Sequence, residues 1–227
     1  MTDPGCGNMS RHLLSFSLAI VFAGLSITPI TFANSSNPIV LVPPTDLPAL
    51  ARQGGEAMFL HDSADGRRLL YVEQRQGAQL AIFDVTDPSH VRDEGSVRLD
   101  APGPFDCVAD LGKHGELVRF RGGLGDALLD LRRMPTLKKI PGLDTRNSIV
   151  LIADDDARFT GQPINPHVSH GVRDYKIFLS GESPGDDRVL EIPQVRQETT
   201  NADTGTTFLL AASGLYLIRR PALEATP

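Results

Sequence analysis

Tryptophan is absent from this sequence, cysteine is nearly so, and cationic side chains are in the minority. Each shortage excludes something. Lys and Arg number 22 against 28 Asp and Glu, a net charge of −6 and a pI of about 5.5. Without a basic stripe the chain is a poor nucleic-acid binder, because affinity for the phosphate backbone comes from clustered Lys and Arg. The two cysteines are Cys6 and Cys107. Cys6 lies in a segment expected to be removed, which leaves Cys107 without an internal partner. No disulfide framework then holds the fold, and a core must. Helical periodicity is scarce as well.

What is present points to many short elements. Gly (21) and Pro (17) are frequent, so turns are frequent. With 41% hydrophobic and 22% charged residues, the chain is globular in composition and too apolar for disorder. A length of 227 residues suits one large domain or two small ones.

The one long apolar run is N-terminal. Arg11 and His12 precede LLSFSLAIVFAGLSITPITFA (13–33), which ends in Thr31-Phe32-Ala33 and is followed by the polar NSSNP. A short basic start, an apolar stretch and small residues at the last and third-last positions predict a signal peptide cleaved after Ala33. A membrane-spanning helix is the competing reading, since about 20 apolar residues span a bilayer. The Ser, Thr and Pro29 within the run favour cleavage. The opening MTDPGCGN is unlike a signal start, which points to Met9 as the initiator. The sequence thus predicts a signal peptide over 1–33, an N-terminal extension over 34–55 and a β-domain over 56–227. It predicts a periplasmic or secreted protein with no stable membrane span after cleavage.

A hairpin unit recurs along that domain. DGRRLLYVEQRQGAQLAIFDVTDP (65–88), GELVRFRGGLGDALLDLRRMP (115–135), YKIFLSGESPGDDRVLEIP (175–193) and GTTFLLAASGLYLIRRP (205–221) share one plan. Each is an apolar run, a Gly-containing turn, a second apolar run and a Pro. Proline cannot donate to a ladder, so each is expected to stop the second strand. Pro88 to Pro221 spans 133 residues in three intervals, about 44 apiece, a spacing typical of propeller blades. SADG (63–66) supplies a tight turn before the first strand. Leu69, Tyr71 and Glu73 face one way along it, Leu70, Val72 and Gln74 the other. Further strands are expected in EAMFLHD (56–62), GSVRL (95–99), FDCVADL (105–111) and SIVLIA (148–153), about twelve in all. In FDCVADL, alternation places Phe105, Cys107, Ala109 and Leu111 on one face, with Cys107 as a small buried hydrophobe. LPALARQ (47–53) reads as two helical turns. GDALLDLRRM fits either strand or helix, and its match to the other copies favours strand.

SADGRRLLYVEQRQGAQLAIFDVTDPSHV resembles the repeats of bacterial extracytoplasmic β-propeller proteins of the YVTN and LVIVD-like groups. Asp65, Gly66, Leu70, Tyr71, Val72, Ile82, Asp84, Asp87 and Pro88 carry the resemblance, and GLYLIRRPALE resembles the second half of a repeat. The resemblance implies an all-β fold, a small or irregular propeller-like array of about four hairpin-based repeats in four-stranded blades. Ring closure is expected from the strand near 56–62, which would complete the last blade.

Candidate chemistry is thin. SGESPG holds the G-x-S-x-G of a nucleophile elbow (181–185), but Pro184 has no N–H to serve the oxyanion, so the stretch reads as a turn. GGLGDA (122–127) lacks the third glycine of a dinucleotide loop and reads as a turn too. ADDDAR places Asp154, Asp155 and Asp156 in a solvated turn and lacks the ligand spacing of a calcium loop. His167 and His170 in NPHVSHG are the weak metal candidates: three apart, they could share one ion, with His61, His114 or an Asp as the third ligand. No motif calls for a cofactor or defines a catalytic set. The sequence therefore predicts an exported binding or scaffold protein with an unknown protein or small molecule as ligand. The alternative is a propeller-based hydrolase or lactonase-like enzyme, since related propellers host metal-dependent chemistry in a central channel.

Overall fold

A computed structural model of the chain describes residues 39–140, 150–154, 157–163, 172–179 and 188–224. The described part is all-β, with strands β1 (Val40–Val42), β2 (Gly55–Asp62), β3 (Arg68–Gln74), β4 (Gln79–Asp84), β5 (Arg92–Arg98), β6 (Phe105–Asp110), β7 (Gly115–Phe120), β8 (Asp126–Asp130), β9 (Thr136–Lys139), β10 (Val150–Asp154), β11 (Ala157–Pro163), β12 (Arg173–Leu179), β13 (Arg188–Thr200), β14 (Thr207–Ala211) and β15 (Gly214–Arg219). They form three antiparallel sheets, ordered β2-β3-β4-β5, β10-β11-β6-β7-β8-β9 and β12-β13-β14-β15-β1. Each contains a four-stranded meander: β2–β5, β6–β9, and β13–β15 completed by β1. The fold is an irregular propeller-like array. All four expected hairpins form, as β3–β4, β7–β8, β12–β13 and β14–β15, and the last two share one sheet.

Alternation explains the layering. Leu70, Val72, Ala81 and Phe83 of the β2–β5 sheet pack with Phe208, Leu210, Leu215 and Leu217 of the third sheet. The opposite face sends Phe59, Leu69, Tyr71 and Leu80 against Phe105, Val118, Phe120 and Leu129 of the second sheet. The β2–β5 sheet is therefore buried on both faces, as its near-continuous apolar runs require. Its outer strand β5 carries mostly exposed polar residues and so protects an unpaired edge.

Closure differs from the expectation. Val40–Val42, from the segment read as an extension, pairs with β15 and completes the last sheet (Val40 opposite Arg219, Val42 opposite Leu217). The 56–62 strand instead opens its own sheet, paired with β3. Two 3₁₀ turns, Pro44–Asp46 and Ala49–Arg52, join β1 to β2. These are tighter and shorter than the helical turns expected over 47–53, as the prolines at 43, 44 and 48 dictate. The free long edge of β2 is satisfied by side chains. Gln197 of β13 grips Met58 like a strand partner, its Nε2 donating to Met58 O at 2.7 Å and its Oε1 accepting Met58 N–H at 2.7 Å. Arg121 donates to Glu56 O at 2.9 Å and Arg196 to Gly55 O at 3.1 Å. Buried backbone groups need partners, and here they come from neighbouring meanders.

Two further expectations are corrected. Pro193 does not stop a strand: β13 runs through it to Thr200. Gln194 adopts φ +56, and the ladders to β12 and β14 both slip beside it, so the proline sits at a bulge where it costs no ladder bond. In β6, a register shift between Cys107 and Ala109 moves Ala109 and Leu111 to the opposite face from Phe105 and Cys107. One inserted residue flips every later side chain. The 126–130 segment is strand, as the repeat match favoured.

Aspartates finish the strands. Asp84, Asp110 and Asp130 close β4, β6 and β8, each accepting the N–H two residues on, at 3.0, 2.7 and 3.1 Å. Asp87 repeats the device: it accepts Ser89 N–H (2.9 Å) and Oγ–H (2.6 Å) and faces His90 Nδ1 (2.9 Å). The Ser89 hydroxyl first, then His90, pull its carboxyl down to about 2. These bonds make the TDP turn a structural staple. Asp87→Ala should lower stability by ~1 kcal/mol, the worth of a lost local hydrogen bond, as read by urea denaturation. A variant as stable as the parent would remove the staple role.

Candidate functional site

A polar network lies buried between the first two sheets. β2 alternates, and the parity that turns Phe59 inward also turns His61 inward. β7 does the same with Glu116, Val118 and Phe120. The bulge in β6 holds Cys107 opposite them. His61 Nδ1 lies 3.1 Å from Glu116 Oε1, and Cys107 Sγ donates to Glu116 Oε2 at 3.0 Å. His61 and Glu116 are only 4% and 2% exposed. Burial first, then the Glu116 charge, pushes the Cys107 thiol well up, so it stays S–H and serves as a donor. Burial also raises Glu116, while its bonds from His61 and Cys107 oppose the rise. His61 Nε2, on the other side of the ring, is buried and has no hydrogen-bond partner among the described residues.

Above this network opens a cleft of about 710 Å³. One wall comes from β2–β5 and the 63–67 turn, with His61, Arg67, Leu69, Tyr71, Ile82 and Val97. The other comes from the 111–114 turn and the β8–β9 connection, with Lys113, His114, Leu131, Arg133 and Met134. Tyr71 stacks on Phe59 at 5.0 Å and meets the His61 ring edge-on at 6.0 Å. Burial holds its phenol up at about 12, so it stays a neutral donor, and its hydroxyl makes no hydrogen bond among the described residues. Four Arg and Lys line the cleft against two Asp and Glu, in a chain of net charge −6. Arg67 is held by Asp65 and Glu94. Lys113 and Arg133, both exposed, have no ion-pair partner among the described residues.

The sequence candidates divide. His167, His170, the 181–185 elbow, Asp155 and Asp156 lie outside the described residues. His61 and His114 do line one cleft, yet no group of three or more His, Cys, Asp and Glu is placed to hold a metal among the described residues. The 122–125 glycines form the β7–β8 turn, with Gly122, Gly123 and Gly125 at positive φ. Cys107 is buried as expected, and its bond to Glu116 is additional. The residues that sequence reasoning missed are Glu116 and the role of His61. The signal was available: in GELVRF, period-two alternation puts Glu116 on the same inward face as Val118 and Phe120.

A second buried acid sits farther along the same interface. Glu73 is 1% exposed, and neither carboxylate oxygen has a hydrogen-bond partner of ordinary geometry. Burial pushes it up to about 8. Arg121 and the nearby Gly77 and Phe105 amides oppose the rise, and Glu56 adds to it.

In comparisons with known proteins, no family model, no curated protein and no solved structure matches the chain. Among the described residues no helix is long and apolar enough to cross a membrane.

Proposed function

We propose that this chain is an exported binding module of the propeller-repeat type, and that it holds a small organic ligand in the cleft between its first two sheets. One observation carries the reading. The cleft is large enough for an organic molecule, and Tyr71, which lines it, has a hydroxyl that makes no hydrogen bond among the described residues. Buried polar groups are ordinarily paired, and an unpaired one costs about 1–3 kcal/mol. A ligand that accepts from the Tyr71 hydroxyl recovers that cost on binding. The resemblance to YVTN and LVIVD-like repeats supports a periplasmic or secreted setting. N-terminal sequencing of exported material should begin at or near Asn34, and full-length protein kept in the cytoplasm would refute export.

A fragment screen by amide NMR tests the binding site. Hits should shift the amides of Tyr71, Lys113 and Leu131 together. Hits scattered over the surface, or none at the cleft, would overturn the reading.

A further inference from the structure

We infer that the ligand of this cleft is an amphipathic organic anion, drawn by the unmatched cations of the second-sheet wall and covering the apolar side chains between the two walls. The inference rests on the cleft being the binding site and adds the chemistry of its occupant. Charge is divided unequally between the two walls, and that division sets the class.

On the first-sheet wall the charges answer one another. Asp65 and Glu94 both hold Arg67, at 2.8 and 3.0 Å, and the Ser63 hydroxyl donates to Asp65 as well. The second-sheet wall lends the cleft only cationic charge, from Lys113, Arg132 and Arg133. Arg132 is held by Asp130. Lys113, in the 111–114 turn, and Arg133, in the β8–β9 connection, are exposed and have no ion-pair partner among the described residues. The unmatched charge of this wall is therefore positive, on a protein that is negative overall. A cationic ligand would meet like charge there, whereas an anion is attracted. Two free cations are too few for a nucleic-acid backbone, which calls for a clustered basic stripe. They suit one compact anionic head, a carboxylate or a phosphate.

The rest of the lining asks for an apolar body. Leu69, Ile82 and Val97 come from the first sheet, Leu131 and Met134 from the second. Met134 follows Arg133 directly in the chain and is 71% exposed. An apolar side chain left in water beside an unmatched cation suits a molecule that brings apolar surface and negative charge together. An inorganic anion would leave the apolar side chains wet, and burial of such surface is the larger driving force. A neutral apolar molecule would cover them and leave both cations unanswered. An aromatic or alkyl body with one anionic head meets both demands.

The test titrates four probes that share a phenyl body into the purified protein, read by amide NMR: phenylacetate, phenyl phosphate, 2-phenylethanol and 2-phenylethylamine. The two anions should bind about fivefold tighter than the alcohol, which is what two exposed ion pairs supply. The amine should bind weakest. Raising NaCl from about 0.02 to about 0.5 M should remove most of the anions' advantage, because salt screens exposed charges. The double variant Lys113→Glu with Arg133→Glu should reverse the order and favour the amine. Arg92→Glu with Lys139→Glu changes the net charge equally at exposed positions outside the lining, and should keep the anions ahead. Phenyl phosphate ahead of phenylacetate would identify a phosphate head, and the reverse a carboxylate; either order supports the anion. Equal binding of anions and alcohol, or an amine that binds best to the parent protein, would overturn the inference. An order unchanged by the Lys113 and Arg133 reversal would overturn it too. In those cases shifts at Tyr71, Lys113 and Leu131 would show that the cleft still binds. Absence of all four probes from the cleft, with other fragments seated there, would remove the ligand class and leave the site. Absence of every fragment would remove the site itself.

Discussion

Phe83→Ala should destabilise the protein by about 3–5 kcal/mol, the usual cost of truncating a fully buried phenylalanine. Phe83 is completely buried on the β2–β5 face that meets the third sheet, in a cluster with Met58, Leu70, Val72, Phe208, Leu210 and Leu217. That cluster joins strands more than 120 positions apart in the chain, so the cavity would open between two meanders and not within one. Strands on both sides are held by their own ladders and can close little of the gap. A domain of this size has roughly 5–15 kcal/mol in total, so the loss is a large share of it. Thermal unfolding should fall by ~10 °C, at 2–4 °C per kcal/mol. Met134→Ala is the control: Met134 is 71% exposed, and surface changes stay within about 0.5 kcal/mol. Equal shifts for the two variants would show that the first and third sheets are not packed as described.

The legible parts of this fold were those written in local chemistry. SADG, VTDP and ASG marked turns because Asp, Ser and Gly fix turns through their own hydrogen bonds or positive φ. Gly214 shows how firmly: at φ +125 it ends the turn of the β14–β15 hairpin, and a Cβ there would lie 2.4 Å from Ala51 O. Alternation in LLYVEQ gave both faces of β3, because a period of two survives wherever no residue is inserted. It failed in FDCVADL, where one extra residue flips Ala109, and a bulge leaves no mark in composition. Closure was illegible for another reason. β1 is three residues long, IVLVPP carries no turn of its own, and its partner β15 lies about 175 positions away. Pairing at that distance is decided by where the sheets end. The candidate site was half visible. His61, Glu116 and Cys107 each sit on an apolar, inward parity, but that three separate strands bring them to one point is a property of packing.

Replacing Glu73 by Gln should make stability less dependent on pH, with the largest effect in alkali. Glu73 is isosteric with Gln and buried between the first two sheets, so the substitution changes charge and little else. The wild-type folded state holds the Glu73 proton up to about 8, whereas an exposed glutamate loses it near 4.5. Below pH 4.5 both states are protonated, and the group contributes equally to each. Between 4.5 and 8 the unfolded chain has released its proton and the folded one has not, so each unit of rising pH favours unfolding by about 1.4 kcal/mol. Above 8 the folded state must bear a buried, unpartnered charge, and the penalty levels off at ~5 kcal/mol if the whole shift is expressed. Arg121 is close enough to reduce it. Urea denaturation at pH 5, 7 and 9 should show the Gln variant within ~1 kcal/mol of wild type at pH 5, clearly more stable at pH 7 and more stable still at pH 9. Glu116 is raised in the same sense by its own burial, so the wild-type curve alone does not isolate Glu73. The difference between wild type and variant does, because Glu116 is common to both. A difference that stays flat from pH 5 to 9 would place the Glu73 carboxylate in water and not in the interface.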